Sequence, residues 1–138
     1  MSDKYFLDTN IIVYSVEPID VKRKRAFELV RDGAASKLGV ISYQVVQEFV
    51  SVASRKFQSV VVPADLEDYL QDVLFPMMAV PSSPWLFIDA LRLHNANQLS
   101  WYDALIVAAA MQGRCKILYS EDLQDGRRFG DLVVENPF

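Results

Sequence analysis

The longest unbroken apolar run in the chain covers residues 104–111, and it predicts a helix that is buried on nearly all sides. Ser100 is the predicted N-cap of this helix, and Asp103 follows it in the spacing of a capping box. Gly113 is predicted to end the helix as its C′ residue. A short apolar segment, residues 115–119, follows and predicts a buried strand.

The lengths of this helix and strand place two acidic residues at one edge of the predicted sheet. A helix of about eleven residues rises roughly 16 Å, and a strand of about five residues runs back roughly 16 Å. Asp103 at the helix start and Asp122 after the strand therefore return to the same edge. Because two carboxylates beside an apolar core are costly to ionise, we expect a positive charge between them.

The remaining apolar segments alternate between strand and helix patterns. Further strands are predicted at residues 5–7, 38–41, 77–80 and 132–134. Further helices are predicted at residues 11–16, 21–35, 43–56, from 63 onward and at 84–95, with residues 58–62 as a connector and 123–130 as a loop. Phe27, Val30 and Ala34 are the predicted buried face of the helix at 21–35. This alternation indicates an α/β domain with a mainly parallel central sheet.

Two more acidic residues are predicted to lie at the carboxyl edge of that sheet, where α/β domains have their functional cleft. Asp8 directly follows the first strand, although a helix N-cap is the simpler account of an aspartate there. Glu48 falls at the margin of the apolar stripe of its helix, so we expect it to be half-buried. Together with Asp103 and Asp122, they make four acids converging on one cleft.

Composition sets limits on the class of protein. With 138 residues, 51% of them hydrophobic, the chain is predicted to form one globular domain. It has no apolar run of membrane-spanning length and no signal-peptide pattern. The one cysteine, Cys115, lies in a predicted buried strand, which excludes an internal disulfide. We therefore expect a cytoplasmic protein.

The charge pattern leaves nucleic acid open as a partner. A net charge of −4 argues weakly against it, but Lys22, Arg23, Lys24 and Arg25 form a dense basic cluster that is a possible RNA-binding surface. A solvated helix end is the alternative account of this cluster.

Four converging carboxylates indicate metal chemistry. They cannot all be ionised without cations, and hard ions such as Mg²⁺ take carboxylate oxygens and substrate phosphates as ligands. Such ions orient and activate a water for in-line attack at phosphorus. The chain has one histidine, His94, no convincing base for a serine triad and no glycine-rich phosphate loop. Metal-dependent phosphodiester hydrolysis is therefore the chemistry that the residues favour.

These same residues lie in motifs that resemble the PIN domain. The motifs are Asp8-Thr9-Asn10, Gln47-Glu48-Phe49, residues 101–106 and residues 120–123. Within that family, the small single-domain form and the ending, residues 123–126 and 136–138, resemble VapC toxins of type II toxin–antitoxin systems. The similarity covers nearly all of residues 1–138 and implies an α/β/α sandwich.

The resemblance also implies a site and a function. Asp8, Glu48, Asp103 and Asp122 correspond to the acidic quartet that binds Mg²⁺ or Mn²⁺, and Asn10 and Ser120 to small polar residues that support it. Glu121 and Asp125 lie nearby, which leaves the fourth ligand open. The family implies a ribonuclease that cleaves structured RNA, commonly tRNA or ribosomal RNA, forms a homodimer and is inhibited by a VapB-type antitoxin.

Three alternatives remain open from the sequence. The chain is alternatively a housekeeping PIN nuclease in RNA processing, or a DNA flap-type nuclease, although its length leaves little room for substrate-guiding elements. A catalytically silent PIN-like binding module is disfavoured by the presence of all four acids. An adjacent small antitoxin gene would distinguish a toxin from a housekeeping nuclease.

Overall fold

A single six-stranded sheet organises the computed structural model, which describes residues 3–56 and 63–138. Its strands are β1 Tyr5–Leu7, β2 Gly39–Ser42, β3 Met78–Val80, β4 Ile117–Tyr119, β5 Arg128–Phe129 and β6 Leu132–Glu135. Their order across the sheet is β3-β2-β1-β4-β6-β5. All neighbouring strands are parallel except β5 and β6, which are antiparallel.

Helices cover both faces of this sheet and make a three-layer α/β/α sandwich. They are α1 Thr9–Val16, α2 Arg23–Ser36, α3 Tyr43–Lys56, α4 Pro63–Tyr69 with a π-helical continuation Leu70–Leu74, α5 Phe75–Met77, α6 Pro84–Asn97 and α7 Trp101–Gln112. Helix α1 packs on α2 and α3, and α6 packs on α7. None of the described helices is long and apolar enough to span a membrane. The predicted fold class is confirmed.

The strand order reverses next to β1. The chain lays β2 and β3 to one side of β1 and then returns to place β4 on the other side. In open parallel sheets, such a reversal leaves a crevice at the carboxyl ends of the two strands, because the helices that follow them leave in opposite directions. The ends of β1 and β4 are therefore where the topology provides room for a site.

Helix α7 is the apolar centre that the sequence predicts. Residues 104–110 are all buried, and Ser100 Oγ accepts the N–H of Asp103 at 3.2 Å, as predicted for the N-cap. The predicted C′ role of Gly113 is wrong: its φ is −72°, and Arg114 takes the left-handed conformation at φ 58°. Close packing explains the glycine instead, since a Cβ there would lie 3.2 Å from side-chain atoms of both Val40 and Val80.

The predicted face of α2 is wrong at Phe27. Val30 is buried and Ala34 is half-buried against the core, but Phe27 is 47% exposed, and the helix also buries Ala26, Leu29 and Gly33. The cause is the close approach of α2 to β2, where a Cβ on Gly33 would lie 3.0 Å from the Cα of Gly39. The helix therefore presents its glycine face to the sheet.

The prediction that residues 123–130 form a loop is wrong in part, because the segment contains β5. Arg128 pairs with Val133 and Phe129 with Leu132, across a tight turn in which Gly130 has φ 60°. Most other boundaries shift by one or two residues. Strand β4 begins at Ile117 rather than at residue 115, because the N–H of Cys115 still bonds to Ala110 O at the end of α7. The predicted connector at 58–62 lies outside the described residues.

Candidate active site

Strands β1 and β4 bring Asp8 and Ser120 into contact. Leu7 pairs with Tyr119 in the parallel register, so the residue after each strand occupies an equivalent position at the sheet edge. The N–H of Asp8 donates to Tyr119 O at 3.1 Å, and Ser120 Oγ donates to Asp8 Oδ2 at 2.8 Å. The register of two central strands thus fixes the position of the Asp8 carboxylate.

Asp8 is a helix N-cap as well as a member of the acidic cluster. Its Oδ1 accepts the N–H of Thr9, the first residue of α1, at 2.7 Å. The side chain is nevertheless aimed into a cavity, and Asp8 is 7% exposed. The two accounts of Asp8 from sequence are therefore compatible, because the cap uses only one of its oxygens.

Glu48 reaches the same cavity from the second turn of α3. It is half-buried, as predicted from its place at the margin of the apolar stripe. Its Oε1 accepts hydrogen bonds from Thr9 Oγ1 at 2.9 Å and from Gln44 Nε2 at 3.3 Å. Gln44 also donates to Tyr102 O at 3.4 Å, which links the start of α3 to the start of α7.

Asp122 and Asp103 complete the acidic lining. Asn10 Nδ2 donates to Asp122 Oδ2 at 3.0 Å, and the N–H of Asp122 donates to Ser120 Oγ at 3.2 Å. Asp103 is half-buried in the first turn of α7. One cavity of about 160 Å³, the acidic cavity, is lined by Asp8, Thr9, Asn10, Gln44, Glu48, Val52, Tyr102, Asp103, Ile106 and Asp122. The structure therefore brings all four predicted acids together.

The carboxylates in the acidic cavity disfavour one another's charge. Burial, followed by the charges of Asp122 and Glu48, raises the pKa of Asp8 to about 6 against the lowering effect of its hydrogen bonds. Burial, and then the charges of Asp103 and Glu121, also raise the pKa of Asp122. No lysine, arginine or histidine is among the described residues that line the cavity. The cavity is therefore acidic, and the charge of Lys22 only partly offsets these effects at Asp122, whose pKa it lowers.

The donor set fits a hard divalent cation. Its ligand groups are carboxylate oxygens, which Mg²⁺ and Mn²⁺ prefer. Within residues 3–56 and 63–138, no three acidic, histidine or cysteine side chains stand close enough to form a ready-made metal site. The described hydrogen bonds use Oε1 of Glu48 and Oδ2 of Asp122, so each of these groups keeps its second oxygen for a cation.

Glu121 and Asp125, the two acids that were alternatives to Asp122 as the fourth ligand, do not line the acidic cavity. Glu121 accepts hydrogen bonds from Tyr14 Oη and Lys22 Nζ, and these bonds lower its pKa. Asp125 Oδ1 accepts the N–H of Asn136 at 2.8 Å and so holds the end of β6. Asp122 is therefore the acid that the segment after β4 directs into the cavity.

The predicted basic cluster divides into two parts. Lys22 forms an ion pair with Glu121, and its Nζ lies 5.0 Å from the ring centroid of Tyr14. Arg23, Lys24 and Arg25 are exposed in the first turn of α2. Lys22 is thus held within the fold, and the other three side chains are accessible.

Sequence reasoning missed the two residues that hold Glu48. Thr9 stands out in the sequence only as part of a motif, yet its N–H and hydroxyl bind Asp8 and Glu48 respectively. Gln44 stands one helical turn before Glu48, a spacing at which side chains of one helix face meet. That i, i+4 relation was a usable signal for Gln44.

The fold and the cavity together define an α/β/α domain with an oxygen-lined acidic site at its carboxyl edge. The chain belongs to the PIN domain family, whose model matches residues 5–128. No curated protein matches the chain in sequence.

Two solved structures share its fold at low sequence identity. The crystal structure of FitAcB from Neisseria gonorrhoeae is 18% identical, with a TM-score of 0.61 over 96% of this chain and 97% of that one. The structure of FitAB bound to an IR36 DNA fragment is 18% identical, with a TM-score of 0.63 over 96% of this chain and 94% of that one. The likeness extends over the full length of the PIN fold.

Proposed function

We propose that this chain is a Mg²⁺- or Mn²⁺-dependent endoribonuclease and the toxin of a VapBC-type toxin–antitoxin system, acting in the cytoplasm. One observation carries the nuclease proposal: Asp8, Glu48, Asp103 and Asp122 line a single cavity at the carboxyl edge of the sheet in a PIN domain. The toxin assignment rests on the resemblance of the segments 123–126 and 136–138 to VapC toxins.

The four carboxylates would hold the cation. Asp8 is the central ligand of the proposal, because it is buried and fixed through both oxygens by Thr9 and Ser120. A divalent ion bound there would act as a Lewis acid that activates a water and stabilises charge on the phosphate oxygens. Its positive charge would also relieve the repulsion that raises the pKa values of Asp8 and Asp122.

The supporting residues orient the acids in this proposal. Ser120 Oγ donates to Asp8 and accepts the N–H groups of Asp122 and Leu123, so its hydroxyl connects two of the four acids. Asn10 fixes one oxygen of Asp122. Held in this way, a carboxylate loses little freedom when a cation binds, and a preorganised site binds more tightly.

The phosphates that flank the cleaved one lie outside the acidic cavity in this proposal, on exposed basic side chains. Arg23, Lys24 and Arg25 are the proposed phosphate contacts. Lys22 is not among the proposed phosphate contacts. Its ion pair with Glu121 instead holds the segment that carries Asp122.

The chemistry predicts specific product ends. We expect cleavage of RNA to require Mg²⁺ or Mn²⁺, to stop in EDTA, and to return when the metal is added back. Attack by an activated water leaves a 5′-phosphate and a 3′-hydroxyl. End-labelled RNA, analysed with and without phosphatase treatment, measures both ends, and a single-stranded DNA of the same sequence is the matched substrate control.

Three results would contradict this prediction. Cyclic-phosphate ends would indicate attack by the 2′-hydroxyl rather than by water. Cutting that persists in EDTA would remove the metal from the reaction. Cleavage of the DNA but not the RNA would keep the metal chemistry and overturn the assignment of the substrate.

The partner in this proposal is an antitoxin that inserts an arginine into the acidic cavity. A guanidinium is always charged and binds a carboxylate through two hydrogen bonds, so it matches a cavity lined by four acids. It would compete with the cation for the same oxygens. The VapC resemblance also implies that the toxin is a homodimer.

Co-expression with the product of an adjacent small gene tests the partner. We expect a stable complex, loss of RNA cleavage, and recovery of growth in cells that overproduce the toxin. Replacing arginines of the small protein one at a time should identify one whose loss restores cleavage while the complex survives. Light scattering gives the mass of the toxin alone and in the complex. If overproduction is harmless and nothing binds, the toxin assignment fails even where cleavage is observed.

A further inference from the structure

A second cavity adjoins the acidic one. It has a volume of about 340 Å³ and lies between the start of α3, the start of α6 and the start of α7. Gln44 and Tyr102 line both cavities, so the two cavities are direct neighbours on one side of the candidate site. We call this second space the aromatic cavity.

Aromatic rings dominate the walls of the aromatic cavity. They belong to Tyr43, Phe87, Trp101 and Tyr102. The rings of Phe87 and Trp101 have centroids 6.1 Å apart and are tilted by 44°. Phe87 is 52% exposed and Tyr102 is 66% exposed, so their faces are accessible to a ligand. Exposed rings beside a reactive site are suited to stacking with a flat partner.

The polar groups of the aromatic cavity are neutral. Gln44 and Gln47 contribute amides, each of which both donates and accepts hydrogen bonds. No lysine, arginine, aspartate or glutamate is among its described lining residues. A phosphate would find no cation there, and a cationic ligand would find no carboxylate. The lining suits an uncharged, flat heterocycle that can form hydrogen bonds.

We propose that the aromatic cavity binds an unpaired nucleobase next to the phosphodiester that is cleaved in the acidic cavity. The inference rests on the proposed nuclease function and adds the recognition of single-stranded RNA to it. Adjacency to the acidic cavity supports this occupant, because a nucleotide whose phosphate lies among the four acids must place its neighbouring base within a few ångströms.

Electrostatics favour the same occupant. A chain of net charge −4 with an acidic site repels the RNA backbone until a cation is bound. Base stacking does not depend on the charge of the protein, and it is worth about 1–3 kcal/mol per base. A stacking site beside the acids therefore supplies affinity at a position where phosphate contacts cannot.

A double comparison of enzyme and substrate tests the proposal. The Phe87→Leu variant removes a ring from the cavity, and Trp85→Leu removes an exposed ring from the same helix outside the cavity. Each enzyme is assayed in Mn²⁺ on a short single-stranded RNA with one cut site, intact or carrying an abasic nucleotide beside the cut. We expect Phe87→Leu, or the abasic nucleotide, to raise KM by roughly 5- to 100-fold with little change in kcat. Combining the two should give no further increase, and Trp85→Leu should behave as the wild type.

A binding measurement separates failure of this inference from failure of the proposed function. RNA carrying 2-aminopurine beside the cut position is titrated with the Asp8→Asn variant, which we expect not to cleave, with and without Phe87→Leu. Stacking should quench the fluorescence, and Phe87→Leu should abolish the quenching. If the wild type cleaves no RNA, the proposed function fails, while quenching that depends on Phe87 still supports a base site.

Three results would overturn the inference. The first is an equal effect of Phe87→Leu and Trp85→Leu. The second is independent, multiplying effects of Phe87→Leu and the abasic nucleotide, since a shared contact cannot be lost twice. The third is a wild-type dimer that dissociates in Phe87→Leu, because a second copy of the chain would then occupy the cavity.

Discussion

The Asp103→Asn variant is expected to lose RNA cleavage by a factor on the order of 10³ or more, with an unchanged fold. The cation is expected to stabilise the transition state by several kcal/mol. Removing one of its ligands should forfeit that stabilisation and so slow cleavage by at least this factor. Stability should change little, because Ser100 still caps α7 and a charge in the first helical turn contributes only about 0.5 kcal/mol. Cleavage, calorimetric Mn²⁺ titration and a thermal melt measure the three quantities.

Asp125→Asn is the matched control for this prediction. Asp125 is also an acid near the carboxyl edge, but its Oδ1 accepts the N–H of Asn136, which the oxygen of an asparagine accepts equally well. We expect wild-type cleavage and Mn²⁺ affinity in this control. Full activity in Asp103→Asn, or an equal loss in Asp125→Asn, would remove Asp103 from the site.

The Asp8→Asn variant is expected to be less stable than the wild type at acidic pH and more stable than the wild type at neutral pH. Burial holds the pKa of Asp8 near 6 in the folded state, against 3.8 ordinarily. The stability that goes with protonated Asp8 is therefore complete below about pH 3.8 and lost as the pH rises through about 6. The difference of about two pKa units corresponds to about 3 kcal/mol of folding stability that the wild type loses as the pH rises. Asparagine does not titrate, so the variant does not lose this stability.

A hydrogen bond opposes this gain. Ser120 Oγ donates its one hydrogen to Asp8 and accepts two N–H groups, so the amide group that Asp8→Asn introduces cannot replace the carboxylate oxygen there without disturbing the network. That change costs about 1 kcal/mol. In EDTA, the variant should be less stable than the wild type by about 1 kcal/mol near pH 4 and more stable by about 2 kcal/mol near pH 7.5.

Chemical denaturation across this pH range measures the difference directly. Subtracting the two curves cancels the titrations of groups that do not interact with Asp8, whereas Asp122 and Glu48 are coupled to Asp8 and contribute to the difference through that coupling. Parallel curves would contradict this prediction, because they would show that Asp8 is ionised in the folded state throughout. Another interaction would then have to offset the cost of burying its charge. Repeating the series with Mn²⁺ should stabilise the wild type and not the variant, since only the wild type retains the central ligand.

The convergence of the four acids could be predicted because parallel topology alone determines it. Every acid follows a central strand or begins a helix beside one, so the carboxyl edge collects them whatever the details of packing. Leu7 opposite Tyr119 is the register that such a sheet requires. The full burial of residues 104–110 was equally evident, since an apolar run without a polar face has no exposed side to present.

Other features depend on contacts that no local pattern encodes. The face of α2 is set by a glycine pair, Gly33 and Gly39, and hydrophobic periodicity points to Phe27 instead. The pairing of Glu121 with Lys22 joins residues 99 positions apart and removes an acid that sequence alone left as a possible ligand. Strand β5 has two residues, too few for a pattern, and its signal was the turn at Gly130.

The pairing of β1 with β4 has a consequence for the synthesis of the protein. Ser120, which holds Asp8, is added to the growing chain 112 residues after it. At roughly 5–20 residues per second, the interval is on the order of ten seconds. Because β4 lies between β1 and β6, a nascent chain lacks the centre of its sheet until β4 has been synthesised. The proposed active site therefore cannot form on a nascent chain before β4, Ser120 and Asp122 have been synthesised.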